Sequence, residues 1–195
     1  MAGDHTSLTL LQRLGANEND AWRIVIELYT PMVYHWCARG GVVRADTEDV
    51  IQEIFHAAST SFAKFRRERP GDSFRAWLRG IAKNMMLMHF RRTGRQPQAA
   101  GGTEAFLKLQ AIVDGATDAD DEDAQPELDS LHRRALEIVK AEFEERTWQM
   151  FWLTVIEGRA TAAVAETMGV GPTAVRMARS RVLHRLREEF GDLIN

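Results

Sequence analysis

The sequence predicts an all-α protein: two small helical domains joined by a flexible acidic linker, the second domain ending in a helix-turn-helix. Three observations predict it. Apolar residues recur at helical spacing almost throughout the 195 residues, and no run of alternating β-branched residues argues for a sheet. Charge is segregated: thirteen basic and ten acidic side chains in residues 1–92, two and nine in 93–130, and ten and nine in 131–195, so a net charge of −3 comes from the middle alone. Finally, Thr161 to Met168, a Gly169-Val170-Gly171 turn and an arginine-rich segment from Thr173 follow one another near the C-terminus.

The first domain is assigned to residues 1–92. Trp22, Val25, Ile26, Tyr29, Val33 and Trp36 form a helical stripe, broken near Pro31 and ended around Gly40-Gly41. A second helix starts at Asp46, with Asp49 as a further acid in the first turn, where it suits the helix dipole. Val50, Ile54, Ala58, Phe62 and Phe65 face its core, and Asp49, Gln52, Glu53 and His56 share the other side. Paired carboxylates invite a catalytic or metal reading, but no second cluster of ligands stands at a useful spacing, so no catalytic residue, metal or cofactor is expected. A solvated face or a protein docking surface fits better. The third helix runs from about Ser73 to Arg92, burying Phe74, Trp77, Leu78, Ile81, Met85 and Met88, while Arg75, Arg79 and Lys83 recur every four residues as a basic stripe.

Residues 93–129 read as the linker, with a Gln-Pro-Gln-Ala-Ala-Gly-Gly stretch from Gln96 and an acidic run at Asp118, Asp120, Asp121, Glu122 and Asp123 before Pro126. Ala105 to Val113 could form a transient helix within it. The last domain, 130–195, opens with a helix carrying Leu131, Ala135, Ile138 and Val139, and a second carries Trp148, Phe151, Trp152 and Val155 before the Glu157-Gly158 break. In the final helix Val175, Ala178, Val182 and Leu186 fall on one side, and Thr173, Arg176, Met177, Ser180, His184 and Arg187 on the other. Pro172 sits where an early-helix proline is tolerated. Arg176, Arg179, Arg181, Arg185 and Arg187 concentrate positive charge where a DNA reader needs it, although a solvated amphipathic helix has the same pattern.

Cys37 is the single cysteine, so disulfides within the chain and Cys-based metal sites are excluded. No apolar run approaches a membrane span, and Met1 to Leu14 lacks the basic start and apolar centre of a secretory signal, which predicts a cytoplasmic protein without membrane insertion.

Two separated blocks carry a family resemblance. Asp46-Thr47-Glu48-Asp49-Val50-Ile51-Gln52-Glu53-Ile54-Phe55, then Ser73-Phe74-Arg75-Ala76-Trp77-Leu78-Arg79-Gly80-Ile81-Ala82-Lys83-Asn84 and Arg91-Arg92, is similar to the second conserved region of the extracytoplasmic-function RNA polymerase sigma factors. Glu157-Gly158-Arg159, Val164-Ala165-Glu166, Met168-Gly169-Val170 and Ala174 through Arg187 resemble the fourth. Met88 departs from the acid many relatives carry there, and Ala162-Ala163 replace acidic residues common before the Val-Ala pair.

The resemblance implies roles that spacing does not. Glu48, Asp49, Gln52 and Glu53 match the surface that binds core RNA polymerase. Arg66, Arg67, Arg69 and Ser73 match the loop that captures a flipped base of the minus-ten element, with Arg75, Trp77, Arg79, Lys83 and Asn84 on the adjoining helix; such a site needs aromatic walls and cations. Thr173, Ala174, Arg176, Met177 and Ser180 would read the duplex minus-thirty-five element, Arg179 and Arg181 lying nearer phosphates. The implied partners are core RNA polymerase and promoter DNA, with room for an anti-sigma factor, and the acidic linker is expected to imitate nucleic acid inside the polymerase. Two other readings stand beside it: a free-standing helix-turn-helix regulator without polymerase docking, and, ranked last, an enzyme acting on nucleic acid.

Overall fold

A computed structural model of the chain describes residues 9–66, 73–94 and 124–191, which hold helices and turns and no strand. The described residues fall into two compact units, 12–66, 73–94 and 124–131 in the first, and 132–191 with 9–11 in the second. In chain order the helices are α1 (Leu10–Gly15), α2 (Asn19–Arg39), α3 (Arg44–Ser61), α4 (Phe74–Thr93), α5 (Ala124–Lys140), α6 (Glu145–Phe151), α7 (Thr161–Met168) and α8 (Pro172–Phe190). The expected segment Ala105 to Val113, the acidic run from Asp118 and the loop residues Arg67 and Arg69 lie outside the described residues.

In the first unit α2, α3 and α4 pack on one another. Their buried residues are Ala21, Val25, Leu28, Tyr29, Met32 and Val33 of α2, Val50, Ile54 and Ala58 of α3, and Phe74, Leu78, Ala82 and Met86 of α4. Tyr29 and Phe74 contact edge to face, ring centroids 5.2 Å apart. Helix α2 ends at Gly40, where a Cβ would stand 2.7 Å from Met86 Sδ and 3.1 Å from the Trp36 carbonyl. That close approach explains the small residue better than turn geometry does.

Several expectations shift. Helix α2 runs through Pro31, an exposed position, without a break. Ile26 is 42% exposed, and Leu28, Met32 and Cys37 take its place inside. Helix α3 starts at Arg44, two residues before Asp46, with extended Val43 at its N-cap and the Thr47 hydroxyl donating to the Val43 carbonyl. Phe62 and Phe65 fall beyond α3, in and after a 3-10 turn over Phe62–Lys64. On α4 the buried stripe proceeds in steps of four through Ala82 and Met86, so Met88 is 57% exposed and Ile81 and Met85 are half-buried. Packing against two helices rather than one rotates that stripe.

In the second unit Met150, Val164, Ala165, Val175 and Ala178 form a cluster, closed by Leu153, Met168 and Val170. Gly169, at φ +62°, ends α7 in the left-handed region. Helix α6 continues as a π-helical segment over Trp152–Ile156, in which Thr154 donates to the Met150 and Phe151 carbonyls. The wider turn takes Trp152 out of the core, 38% exposed, with Val155 only half-buried. Helix α5 begins at Ala124, so residues 124–129, expected in the linker, are helical; Pro126 and Glu127 occupy a first turn that suits both.

Candidate functional site

The acidic face of α3 follows from its helical period. Glu48, Asp49, Gln52 and His56 are exposed and Glu53 is half-buried. Two pairs tie this face to the end of antiparallel α4: Arg92 donates to Glu53 at 2.8 Å, and His89 Nε2 stands 3.3 Å from Asp46 Oδ2. Glu48, Asp49 and Gln52 thus present one patch of acceptors on a braced helix. Among the described residues no group of His, Cys, Asp and Glu could hold a metal ion.

A basic and aromatic face lies at the start of α4. Ser73 caps the helix, its hydroxyl accepting from the Ala76 N–H at 3.1 Å. Phe62, Phe65, Phe74 and half-buried Trp77 form one aromatic cluster, with Phe65 and Trp77 centroids 5.2 Å apart. Exposed Arg66 follows the cluster in the chain, its guanidinium donating to the Ala63 and Phe65 carbonyls, and farther along α4 Lys83 is half-buried and Asn84 exposed.

Arg75 departs from the expected stripe: it is buried, 7% exposed, and donates to Glu127 Oε2 at 2.6 Å. Glu127 also accepts from the Trp36 indole N–H at 2.5 Å, while Arg79 stands 3.8 Å from the same carboxylate and its guanidinium lies over the Trp36 ring at 5.8 Å. Trp36, Arg75 and Arg79 therefore converge on one side chain from the start of α5. The residue pattern places Trp36 in the core, Arg75 on a DNA face and Glu127 in the linker, because separations of 91 and 52 residues leave no periodic trace. The Arg75 charge also reaches Tyr29, whose hydroxyl burial pushes well above the ordinary phenol range against that opposing charge.

In the second unit the first turns of the final helix divide as its period predicts, while Leu186, expected on the core side, is only half-buried. Val175, Ala178 and Val182 are buried; Thr173, Ala174, Arg176, Met177, Arg179, Ser180 and Arg181 are all exposed, Met177 to 51%. Arg176 donates to the Thr173 hydroxyl at 3.1 Å, which arranges the two side chains over the first turn. Arg146 fixes the preceding turn by donating to the Met168 carbonyl at 2.8 Å. Arg185, one of the five arginines counted as positive face, is engaged internally by Glu142 and Glu189. A groove of about 670 Å³ beside α6 is walled by Leu136, Trp148, Trp152 and Leu153 and edged by charged residues such as Arg133 and Glu157.

The model of the Sigma-70 region 2 family matches residues 25–96. The chain is 31% identical to the ECF RNA polymerase sigma factor SigD of Mycobacterium tuberculosis, over 97% of this chain and 86% of that protein. It is 25% identical to the ECF RNA polymerase sigma factor SigW of Bacillus subtilis, over 94% of this chain and 96% of that one. Among solved structures, that of an RsbN-BldN complex aligns with 90% of this chain and 96% of that chain at 19% identity and a TM-score of 0.37.

Proposed function

The chain belongs to the ECF RNA polymerase sigma factors, and from that membership we propose how its charged faces share the work. As a sigma factor it partners RNA polymerase and directs transcription initiation. The exposed patch of Glu48, Asp49 and Gln52, with Glu53 behind it, docks on core polymerase. The face at the start of α4 takes the melted minus-ten strand: the Trp77 cluster supplies stacking walls, and Arg66, Lys83 and Asn84 supply cations and hydrogen bonds, with Arg67 and Arg69 joining them by resemblance. Arg75 enters this reading only when its pairing with Glu127 is broken. Helix α8 enters the major groove of the minus-thirty-five element, with Arg176, Met177 and Ser180 toward base edges and Arg179 and Arg181 toward phosphates.

The observation that carries this division is the sorting of α8, whose buried Val175, Ala178 and Val182 leave every polar residue of its first turns exposed. The protein performs no covalent chemistry in this reading and acts in the cytoplasm, where polymerase and promoter are. An anti-sigma factor is the regulator that family membership suggests. Transcription in vitro with core polymerase and a pooled promoter library tests the whole: transcripts should start downstream of promoters that share two spaced elements. Tight duplex binding without core association would instead make the chain a free-standing regulator.

A further inference from the structure

The turn that leads into α8 is weakly fixed by its own residues. Gly169 stands at φ +62° and Gly171 is the N-cap before Pro172, so no side chain caps the start of α8. A Cβ added at either glycine would meet nothing within 4 Å, and neither is pinned by a close approach. Met168 and Val170 pack against the cluster of Met150, Val164, Ala165, Val175 and Ala178, but both are only half-buried. The backbone bonds of the turn, Val170 N–H to the Ala165 carbonyl and Ala174 N–H to the Gly171 carbonyl, are local. Yet the residues that follow, Thr173, Arg176, Met177 and Ser180, can meet base edges only if α8 begins in the right place, within about half an ångström.

Arg146 ties this turn to another helix. It is the second residue of α6, which packs on α8, and its guanidinium donates to the Met168 carbonyl at 2.8 Å across 22 residues. Among the described residues this is the single hydrogen bond that reaches Met168 to Gly171 from another helix. In the last turn of α7 the Ala165 and Glu166 carbonyls accept from the Gly169 and Val170 N–H groups, which leaves the Met168 carbonyl to Arg146. A cation there also meets the negative end of the α7 dipole. Arg146 is exposed and forms no ion pair with a described carboxylate, so the backbone carbonyl is what its guanidinium serves.

We propose that Arg146 is a positioning residue for promoter reading: from α6 it holds the turn before α8, and so sets the register in which Arg176, Met177 and Ser180 meet base edges. This rests on the assignment of α8 to the minus-thirty-five duplex. The bond acts on selectivity more than on affinity at large. When the start of α8 shifts, hydrogen bonds to base edges fail because they need one geometry, whereas the attraction of Arg179 and Arg181 to phosphates persists and carries no sequence information.

The test uses the full chain and two fluorescein-labelled duplexes, one with the preferred upstream element taken from the promoter library and one with that element scrambled, followed by anisotropy at several salt concentrations. Arg146→Gln should lower the ratio of the two affinities about five-fold, the low end for one base contact, and leave both salt slopes unchanged. Arg146→Lys, which keeps a donor for the carbonyl, should hold the ratio near the wild-type value. An unchanged ratio in a folded Arg146→Gln protein overturns the proposal. So does a salt slope shallower by about one unit, which would make Arg146 a phosphate contact, and so does a loss in Arg146→Lys as large as in Arg146→Gln. Hydrogen exchange separates positioning from general stability: the Val170 and Ala174 amides should exchange faster in Arg146→Gln, and the Val164 and Val182 amides should not. Uniform acceleration, or an Arg146→Gln chain that does not fold beside a folded Arg146→Lys, would make the residue a support of the whole unit and also overturn the proposal. Arg176→Ala in the same assay keeps the two readings apart: if it lowers the ratio, α8 reads DNA whatever becomes of Arg146, and if it does not, both fall.

Discussion

Arg185 grips Glu142 with two hydrogen bonds, Nε to Oε2 at 2.5 Å and Nη2 to Oε1 at 3.0 Å, joining the turn after α5 to the last third of α8. The same guanidinium binds Glu189, which is only 5% exposed. These acidic partners hold the proton on Arg185 more firmly than usual, the Glu142 bond first among them. An arginine that looked like part of a DNA face is thus an anchor for the helix that carries it.

Removing that anchor should be costly on one side and mild on the other. Arg185→Ala removes the cation that faces both Glu142 and the buried Glu189 and should lower stability by about 2 kcal/mol. Glu142→Gln acts on a more exposed partner and should cost less than about 1 kcal/mol. Urea denaturation of the two variants measures the difference, and equal losses would contradict the role given to Glu189.

Gly169→Ala tests the turn between α7 and α8. At φ +62° an alanine is strained although its Cβ would meet nothing within 4 Å, so the loss should be conformational, about 1 kcal/mol. Gly169→Asn should recover part of it, since asparagine tolerates the left-handed region. A loss of several kcal/mol in thermal unfolding would point to packing instead.

Alkaline pH should weaken the first unit through Cys37. Burial pushes its thiol from an ordinary 9.0 up to about 12. The unfolded chain therefore gives up this proton first, and stability that is whole below about pH 9 is lost progressively toward pH 12. The decline should be on the order of 1 kcal/mol per pH unit between 9 and 11, and it should be shallower in Cys37→Ala. Identical slopes in the two proteins would remove Cys37 from the effect.

On α8, Arg176→Ala should weaken binding to the preferred upstream element by about 1–3 kcal/mol while leaving unrelated duplexes little affected. Equal weakening on every sequence, read by anisotropy with competitor duplexes, would move Arg176 to the phosphate-contacting class.

Helices and their faces were readable from the order of residues wherever one side of a helix meets a core and the other meets water. Val175, Ala178 and Val182 against Arg176, Met177 and Ser180 is such a case, and so is Val50, Ile54 and Ala58 against Asp49 and Gln52. The reading failed where a helix has two neighbours or an irregular turn. Met88 turned outward because α4 packs on both α2 and α3, and Trp152 turned outward because a π turn changes the period.

Residue order alone is enough for the helical class, the acidic face of α3 and the sorted first turns of α8, since a 3.6-residue period and local charge are properties of neighbours in the chain. Which cations are committed to internal pairs follows instead from helix packing. Arg75 meets Glu127 across 52 residues and Arg185 meets Glu142 across 43. Pairings of that kind arise when separate helices bring charges together at hydrogen-bond distance, and distance in space leaves no period in the sequence.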